Sequence, residues 1–162
     1  MSLPPAELPA SAMRVQEAAR GKGLDVTVVE MAESTRTADD AAAACGCAVA
    51  QIVKSLVFRG AESGKPYLML VSGANRLNEK GVASALGESL ARADAAYVRE
   101  VTGFAIGGIP PLGHAAPMQV FIDEDLLGYD TVWAAAGTPR AVFAVDPKQL
   151  ALAAGARAMK VS

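Results

Sequence analysis

The sequence predicts a single α+β domain, a mixed sheet of six or seven strands or a partly open barrel, with short helices packed on it. Three observations lead there. The chain has 162 residues, enough for one domain that buries roughly two-thirds of its unfolded surface without help from a disulfide or metal. Short runs rich in Val, Ile and Thr recur along it, and they are not regularly separated by long helices, which disfavours a doubly wound parallel sheet. Apolar residues make up 52% but aromatics only 5%, and 34 residues are Ala, so the core must rest on Val, Leu and Ile with Ala allowing close helix approach.

The elements follow in order. Residues 1–10, with Pro4, Pro5 and Pro9, read as a flexible lead-in to a domain spanning 11–162. Ser11 is a plausible N-cap for a helix to Gly21, with Met13, Ala18 and Ala19 near its apolar face. Leu24–Met31 reads as a strand. Thr37 opens an Ala-rich helix that places Asp39 and Asp40 at its positive end and closes at Gly46. Ile52–Arg59 and Pro66–Ser72, joined by the polar Gly60–Lys65, give a hairpin signal. Asn78 starts a helix ending near Gly87, and Asp94 caps another that stops at Thr102-Gly103. Gln119–Ile122, Thr131–Ala135 and Arg140–Val145 read as strands. Asp146-Pro147 is a strong helix start, with Pro at the first helical position, and Arg157–Val161 reads as a last strand.

Composition excludes several classes. Fifteen basic against 17 acidic residues give a net charge of −2, which argues against a general nucleic-acid coat or a membrane-surface binder. It leaves open a protein that grips only the end of a nucleic acid. Met1–Arg14 has no charged segment followed by an apolar one, so no signal peptide is expected. The longest apolar stretch, Ala41–Val53, is interrupted by Gln51 and too short to span a bilayer. Cys45 and Cys47 sit one residue apart, and a zinc site needs four ligands where the chain has one histidine. A reducing cytoplasm is the expected setting, and no metal is expected.

Lys54 stands out first. Alternation in its strand puts Ile52, Lys54, Leu56 and Phe58 on one face and Val53, Ser55, Val57 and Arg59 on the other. A lysine among large apolar neighbours either meets an anion or snorkels to water from an edge strand. Next comes the stretch from Thr102 to His114, with four glycines and the pair Pro110-Pro111. Glycine permits close backbone approach to a ligand, and free N–H groups at Gly107 and Gly108 could cradle an oxyanion; a stiff structural connection is the plainer account. In Trp133–Arg140 the small residues suit either a ligand site or a tight strand turn. Gly60–Lys65 resembles a phosphate loop but has its glycines one residue too close and Pro66 where a helix should start. Asp123-Glu124-Asp125 reads as a solvated helix start, and Arg76, Lys80, Arg92 and Arg99 as surface charge or a phosphate-docking face. No serine has a nucleophile-elbow context to pair with His114.

The strand from Gln51 to Phe58, the segment from Val101 to Phe104, and Gly107-Gly108-Ile109-Pro110-Pro111-Leu112-Gly113 together resemble the YbaK/prolyl-tRNA-synthetase-associated editing domain. The likeness runs, more loosely, from Met31 to the C-terminus, and the Ala136-Gly137 turn matches a third family position. It implies a trans-acting aminoacyl-tRNA deacylase. A synthetase pocket discriminates one methylene by only about 1–3 kcal/mol, so a second pocket must clear small wrong residues. The resemblance further implies that Lys54 holds the terminal adenosine or its phosphate and that Gly107 and Gly108 N–H groups stabilise the ester carbonyl. Ile109, Pro110, Pro111, Gly113, His114, Ala135, Ala136 and Gly137 would then line the substrate pocket. No cofactor is implied; the partners are the aminoacyl-tRNA acceptor end and an aminoacyl-tRNA synthetase, with no membrane. Some relatives carry a serine where this chain has Ala135, which leaves a cysteine-clearing specificity less secure. The competing class is a non-catalytic nucleotide or aminoacyl-tRNA binding module.

Overall fold

Four helices start at the side-chain caps expected of them. In the computed structural model, which describes residues 8–162, Thr37 caps α2 (Ala38–Cys45), Asn78 caps α3 (Glu79–Leu86), Asp94 caps α4 (Ala95–Thr102) and Asp146 caps α5 (Pro147–Ala154). Each side-chain oxygen accepts an N–H of the first turn that has no partner within the helix. Each of these helices ends on a left-handed glycine. The first helix departs from expectation. α1 (Ala10–Gly21) begins one residue before Ser11, after Pro9 and without a side-chain cap. It buries Ala12, Val15, Gln16 and Ala19, while Met13 and Ala18 stay half-buried. Of the expected lead-in, residues 1–7 lie outside the described residues, and Leu8 is already buried.

Among the described residues the sheet is mixed and has eight strands. They are β1 (Val29–Glu30), β2 (Ile52–Gly60), β3 (Pro66–Ser72), β4 (Leu90–Arg92), β5 (Gln119–Asp123), β6 (Val132–Ala135), β7 (Ala141–Val145) and β8 (Arg157–Met159). Their spatial order is β1-β7-β6-β2-β3-β5-β8, with β4 also pairing with β2. The β2–β3, β2–β4, β6–β7 and β1–β7 pairs are antiparallel; β2–β6, β3–β5 and β5–β8 are parallel. β4 is the strand beyond the expected six or seven, and its three residues are too few to show alternation. The expected strand Leu24–Met31 pairs only at Val29 and Glu30. Upstream, Leu24, Val26 and Val28 are buried at alternate positions without a ladder, and the buried Gln16 accepts the Val28 N–H at 2.9 Å.

β3 is apolar from Leu68 to Val71 because both of its faces are covered. Leu68 and Leu70 join Val120, Ile122, Phe143 and Leu150 in the larger core, which also takes the buried side of α1. Tyr67, Met69 and Val71 face the opposite way onto Val82, Phe121 and Val161. Among the described residues no helix is long and apolar enough to cross a membrane.

Glu88 ties the β2–β3 turn to the segment ahead of β4. Its carboxylate accepts from Ser63 N–H (2.9 Å), Tyr67 O–H (2.7 Å), Ser63 O–H (2.8 Å) and Glu62 N–H (3.1 Å). These donors, the Ser63 N–H foremost, hold its pKa down from 4.5 to about 2. A carboxyl depressed in the folded state contributes stability above its unfolded pKa and loses it as the pH falls toward the folded value. Urea titrations should therefore show the native protein losing a component of stability between pH 4.5 and about 2 that the Glu88→Gln variant lacks. Parallel pH profiles for the two proteins would refute this account of the turn.

Candidate functional site

β2 carries the site because its two sides are paired differently. β3 covers one side from Val53 to Arg59. The other side meets β6 at Ile52 and Val53 and β4 from Phe58 to Gly60. A cavity of about 810 Å³ opens along β2, with Lys54, Ser55, Arg36, Arg76, Arg92 and Trp133 on its wall. Thr35, Thr37, Ile109, Ala134 and Ala135 line it further. Gly107 and Ile106 also reach it, and Ile106 is 59% exposed.

Lys54 is half-buried on this wall, and its Nζ donates to the Asn75 carbonyl at 2.6 Å. Burial lowers its pKa, the charge of Arg76 lowers it further, and the charge of Asp123 opposes both. Asp123 caps the short helical turn Glu124–Gly128, as the reading of Asp123–Asp125 as a helix start expects, and Glu124 and Asp125 are exposed. Asp123 itself, however, is 1% exposed rather than solvated. It accepts from Ser72 N–H (3.0 Å), Asn75 Nδ2 (2.9 Å) and Asp125 N–H (3.0 Å). A buried carboxylate has to be satisfied in this way. The effect is to hold the loop whose Asn75 carbonyl receives Lys54.

The glycine–proline loop and the β6–β7 turn, expected as separate features, are joined through backbone. Gly137 N–H donates to the Gly108 carbonyl at 2.8 Å. Gly108 itself does not line the cavity. Its N–H is turned onto the Ala105 carbonyl at 3.4 Å, so of the two N–H groups expected to cradle an ester only that of Gly107 belongs to a residue on the wall. Arg36 packs over Gly107, where a Cβ would lie 3.0 Å from its Nε. Ala136 and Gly137 follow the wall residue Ala135 without lining the cavity, Ala136 being fully buried and donating to the Ala141 carbonyl, and Pro110 is buried and does not line it either. α1 braces the loop from outside. Arg14 Nη2 donates to the Gly103 carbonyl at 2.7 Å, and its guanidinium lies 4.4 Å from the Phe104 ring centre.

Pro111, Gly113 and His114 are not brought to this cavity. They line a separate depression of about 330 Å³, and His114 Nε2 lies 2.7 Å from the Pro110 carbonyl. Burial lowers the histidine's pKa, partly offset by that carbonyl. Arg76 and Arg92 reach the main cavity, whereas Lys80 and Arg99 do not.

Sequence reasoning missed Arg36 and Ser55. Ser55 Oγ is the one buried side-chain nitrogen or oxygen among the described residues with no hydrogen-bond partner. Leaving a buried hydroxyl unpaired costs about 1–3 kcal/mol. Among the described residues no group of three or more His, Cys, Asp and Glu side chains is placed to hold a metal ion.

This wall can bind an anion at its four cations and enclose a small apolar group between Ile109 and Ala134. The join behind it is too close for a side chain, since a Cβ on Gly108 would lie 2.6 Å from Thr138 N. Gly108→Ala should lower stability by about 1–3 kcal/mol through overpacking. Thermal unfolding checks this, and an unchanged melting temperature would refute the close join.

Residues 32–152 match the family described as the aminoacyl-tRNA editing domain. The uncharacterised protein YwhH of Bacillus subtilis (strain 168) is 32% identical over 123 residues, covering 76% of this chain and 78% of that protein. A proline–tRNA ligase of Limosilactobacillus fermentum is 34% identical over 96 residues, 57% of this chain but 17% of the ligase. The fold superposes with a TM-score of 0.91 on the crystal structure of a protein proposed as a trans-editing enzyme for prolyl-tRNA synthetase. That protein is 52% identical, with 96% of this chain and 99% of that chain covered. With three-quarters of its length matched and its fold shared with a 52% identical structure, the chain belongs to the aminoacyl-tRNA editing domain family.

Proposed function

We propose that this protein is a trans-acting deacylase that hydrolyses the ester of a mischarged aminoacyl-tRNA, clearing errors made by prolyl-tRNA synthetase in the cytoplasm. The observation that carries the reading is the cavity on β2, which sets a lysine and three arginines beside a recess lined by Val53, Ile109 and Ala134. One part suits the phosphate and terminal adenosine of an acceptor end, and the other a small acyl group. The relative proposed as a trans-editing enzyme for prolyl-tRNA synthetase supports the choice of synthetase.

In this mechanism Lys54, oriented by the Asn75 carbonyl, holds the terminal nucleotide. Gly107 N–H donates to the ester carbonyl and stabilises the negative charge that develops there. Gly108, Pro110, Ala136 and Gly137 keep that N–H in place rather than touching substrate. The titratable side chains on the wall are Arg36, Lys54, Arg76, Glu79 and Arg92. None is a histidine or a cysteine, so a ribose hydroxyl of the terminal adenosine positions the attacking water. Catalysis then rests on placement and electrostatics.

The test is release of amino acid from a panel of correctly and wrongly charged tRNAs. Lys54→Ala should lower kcat/KM on the cleaved species by about 10²–10³-fold. A substrate with a 2′-deoxy terminal adenosine should lose about 10²-fold or more, while Glu79→Gln stays active. No turnover on any member, with adenosine-analogue binding retained, would make the protein a binding module. Turnover lost in Glu79→Gln but kept with the deoxy substrate would make Glu79 the base. His114→Ala should change kcat/KM by no more than about twofold, and a large loss would return the histidine to the pocket.

A further inference from the structure

The break in the pairing of β2 opens inside the cavity. On that edge β6 reaches only Val53 and β4 begins at Phe58, so the ladder is missing between them. The pairing with β3 fixes where the main-chain groups in the break point. In an antiparallel ladder alternate residues turn both N–H and C=O toward the partner strand. Gly60 N–H donates to the Lys65 carbonyl and Gly73 N–H to the Ile52 carbonyl, so the even-numbered residues of β2 face β3. The odd-numbered residues face the other edge. Ser55 lies in the middle of the break, with its N–H and C=O turned to an edge where no strand pairs with it. Its Oγ also lacks a partner. The main chain of this one residue thus presents a donor and an acceptor at the wall of the cavity, while its hydroxyl is buried beside them.

We infer that the aminoacyl group of the substrate docks opposite Ser55 as a one-residue strand that completes this ladder. The inference rests on the deacylase reading above. An aminoacyl ester carries the same N–Cα–C=O sequence as a chain residue. Laid antiparallel, its α-ammonium donates to the Ser55 carbonyl and its acyl oxygen accepts the Ser55 N–H, the two bonds of a hydrogen-bonded antiparallel pair. A parallel arrangement would split those bonds between successive residues, which a single aminoacyl unit does not have. The acyl oxygen has two lone pairs and accepts from Gly107 as well.

Polarity fixes the remaining orientation. β2 runs from its β6 end to its β4 end, so the ester points back toward Ala135. Residues directly opposite in a ladder share a face, which puts the substrate side chain on the Ser55 face. Val53 and Val57 share that face and pack with Val98 and Ile109. Ser55 therefore serves as a subsite for the α-ammonium and acyl carbonyl, distinct in chemistry from the cations that take phosphate.

Calorimetry with two amide-linked, non-hydrolysable probes tests this: 3′-alanylamino-3′-deoxyadenosine and its propionyl counterpart without the α-amino group. The alanyl side chain is small enough for a recess built for a larger one. The propionyl probe should bind about tenfold more weakly or worse, the loss expected when a charged donor is removed. Hydrogen exchange followed by NMR should find the Ser55 amide fast in the free protein and slowed by the alanyl probe. Ser55→Pro removes that N–H without breaking a bond to β3, and should abolish the discrimination while thermal unfolding monitors the fold. Equal affinity for the two probes, no binding of either, or a Ser55 amide already protected in the free protein would each overturn the inference. So would discrimination lost in Glu79→Gln, since the ammonium would then sit on that carboxylate. A protein that discriminates the probes but releases no amino acid from any charged tRNA keeps the subsite and loses the deacylase reading. One that turns over without discrimination loses the subsite alone.

Discussion

The incomplete pairing of one strand governs this molecule. β2 needs a full partner on one side to be a stable strand, and β3, buried on both faces, supplies it. On its other side β2 is shared between β6 and β4, neither long enough to cover it. The two short partners hold the ends of the strand, and the space between them becomes the cavity. Alternation then presents Lys54 and Ser55 to opposite faces of a strand that β3 keeps rigid, the kind of support a binding constellation requires.

A second constraint lies beneath the first. Asp123 is a buried charge with three hydrogen-bond donors around it, and one of them, Asn75, passes its own carbonyl to Lys54. The lysine is thus oriented by a main-chain group rather than by a second carboxylate in contact with it. It keeps its positive charge available to a ligand instead of neutralising it in a buried ion pair. The arginines around it carry no such restraint and suit the rim of a site that meets a flexible nucleic-acid end.

Much of the site was legible in the sequence because it depends on local rules. Lys54 stood out by alternation, four helices by their caps, and the glycine–proline loop by its composition. What was not legible depends on neighbours distant in sequence. Nothing near Ser55 says that its edge is the divided one; that follows from the lengths of β4 and β6. Asp123 reads as a helix-start carboxylate, which it is, but its burial shows only once Ser72 and the loop after β3 fold onto it. His114 follows the loop directly in sequence, yet the chain turns it onto the Pro110 carbonyl and into a different depression. Gly108 was singled out for close approach to a ligand, whereas in the fold the backbone of Thr138 lies against it.

The brace formed by α1 bears on how such a domain can be cut, fused or inherited. The family resemblance begins at residue 32, while Arg14 grips the loop at Gly103 and stacks on Phe104. Ser11 also meets the β6–β7 turn, its carbonyl lying where a Cβ on Gly137 would fall. A boundary drawn at residue 32 would leave the loop without its outer support. Cut at that point the domain loses α1 as a prop, so a working unit has to be drawn to include it.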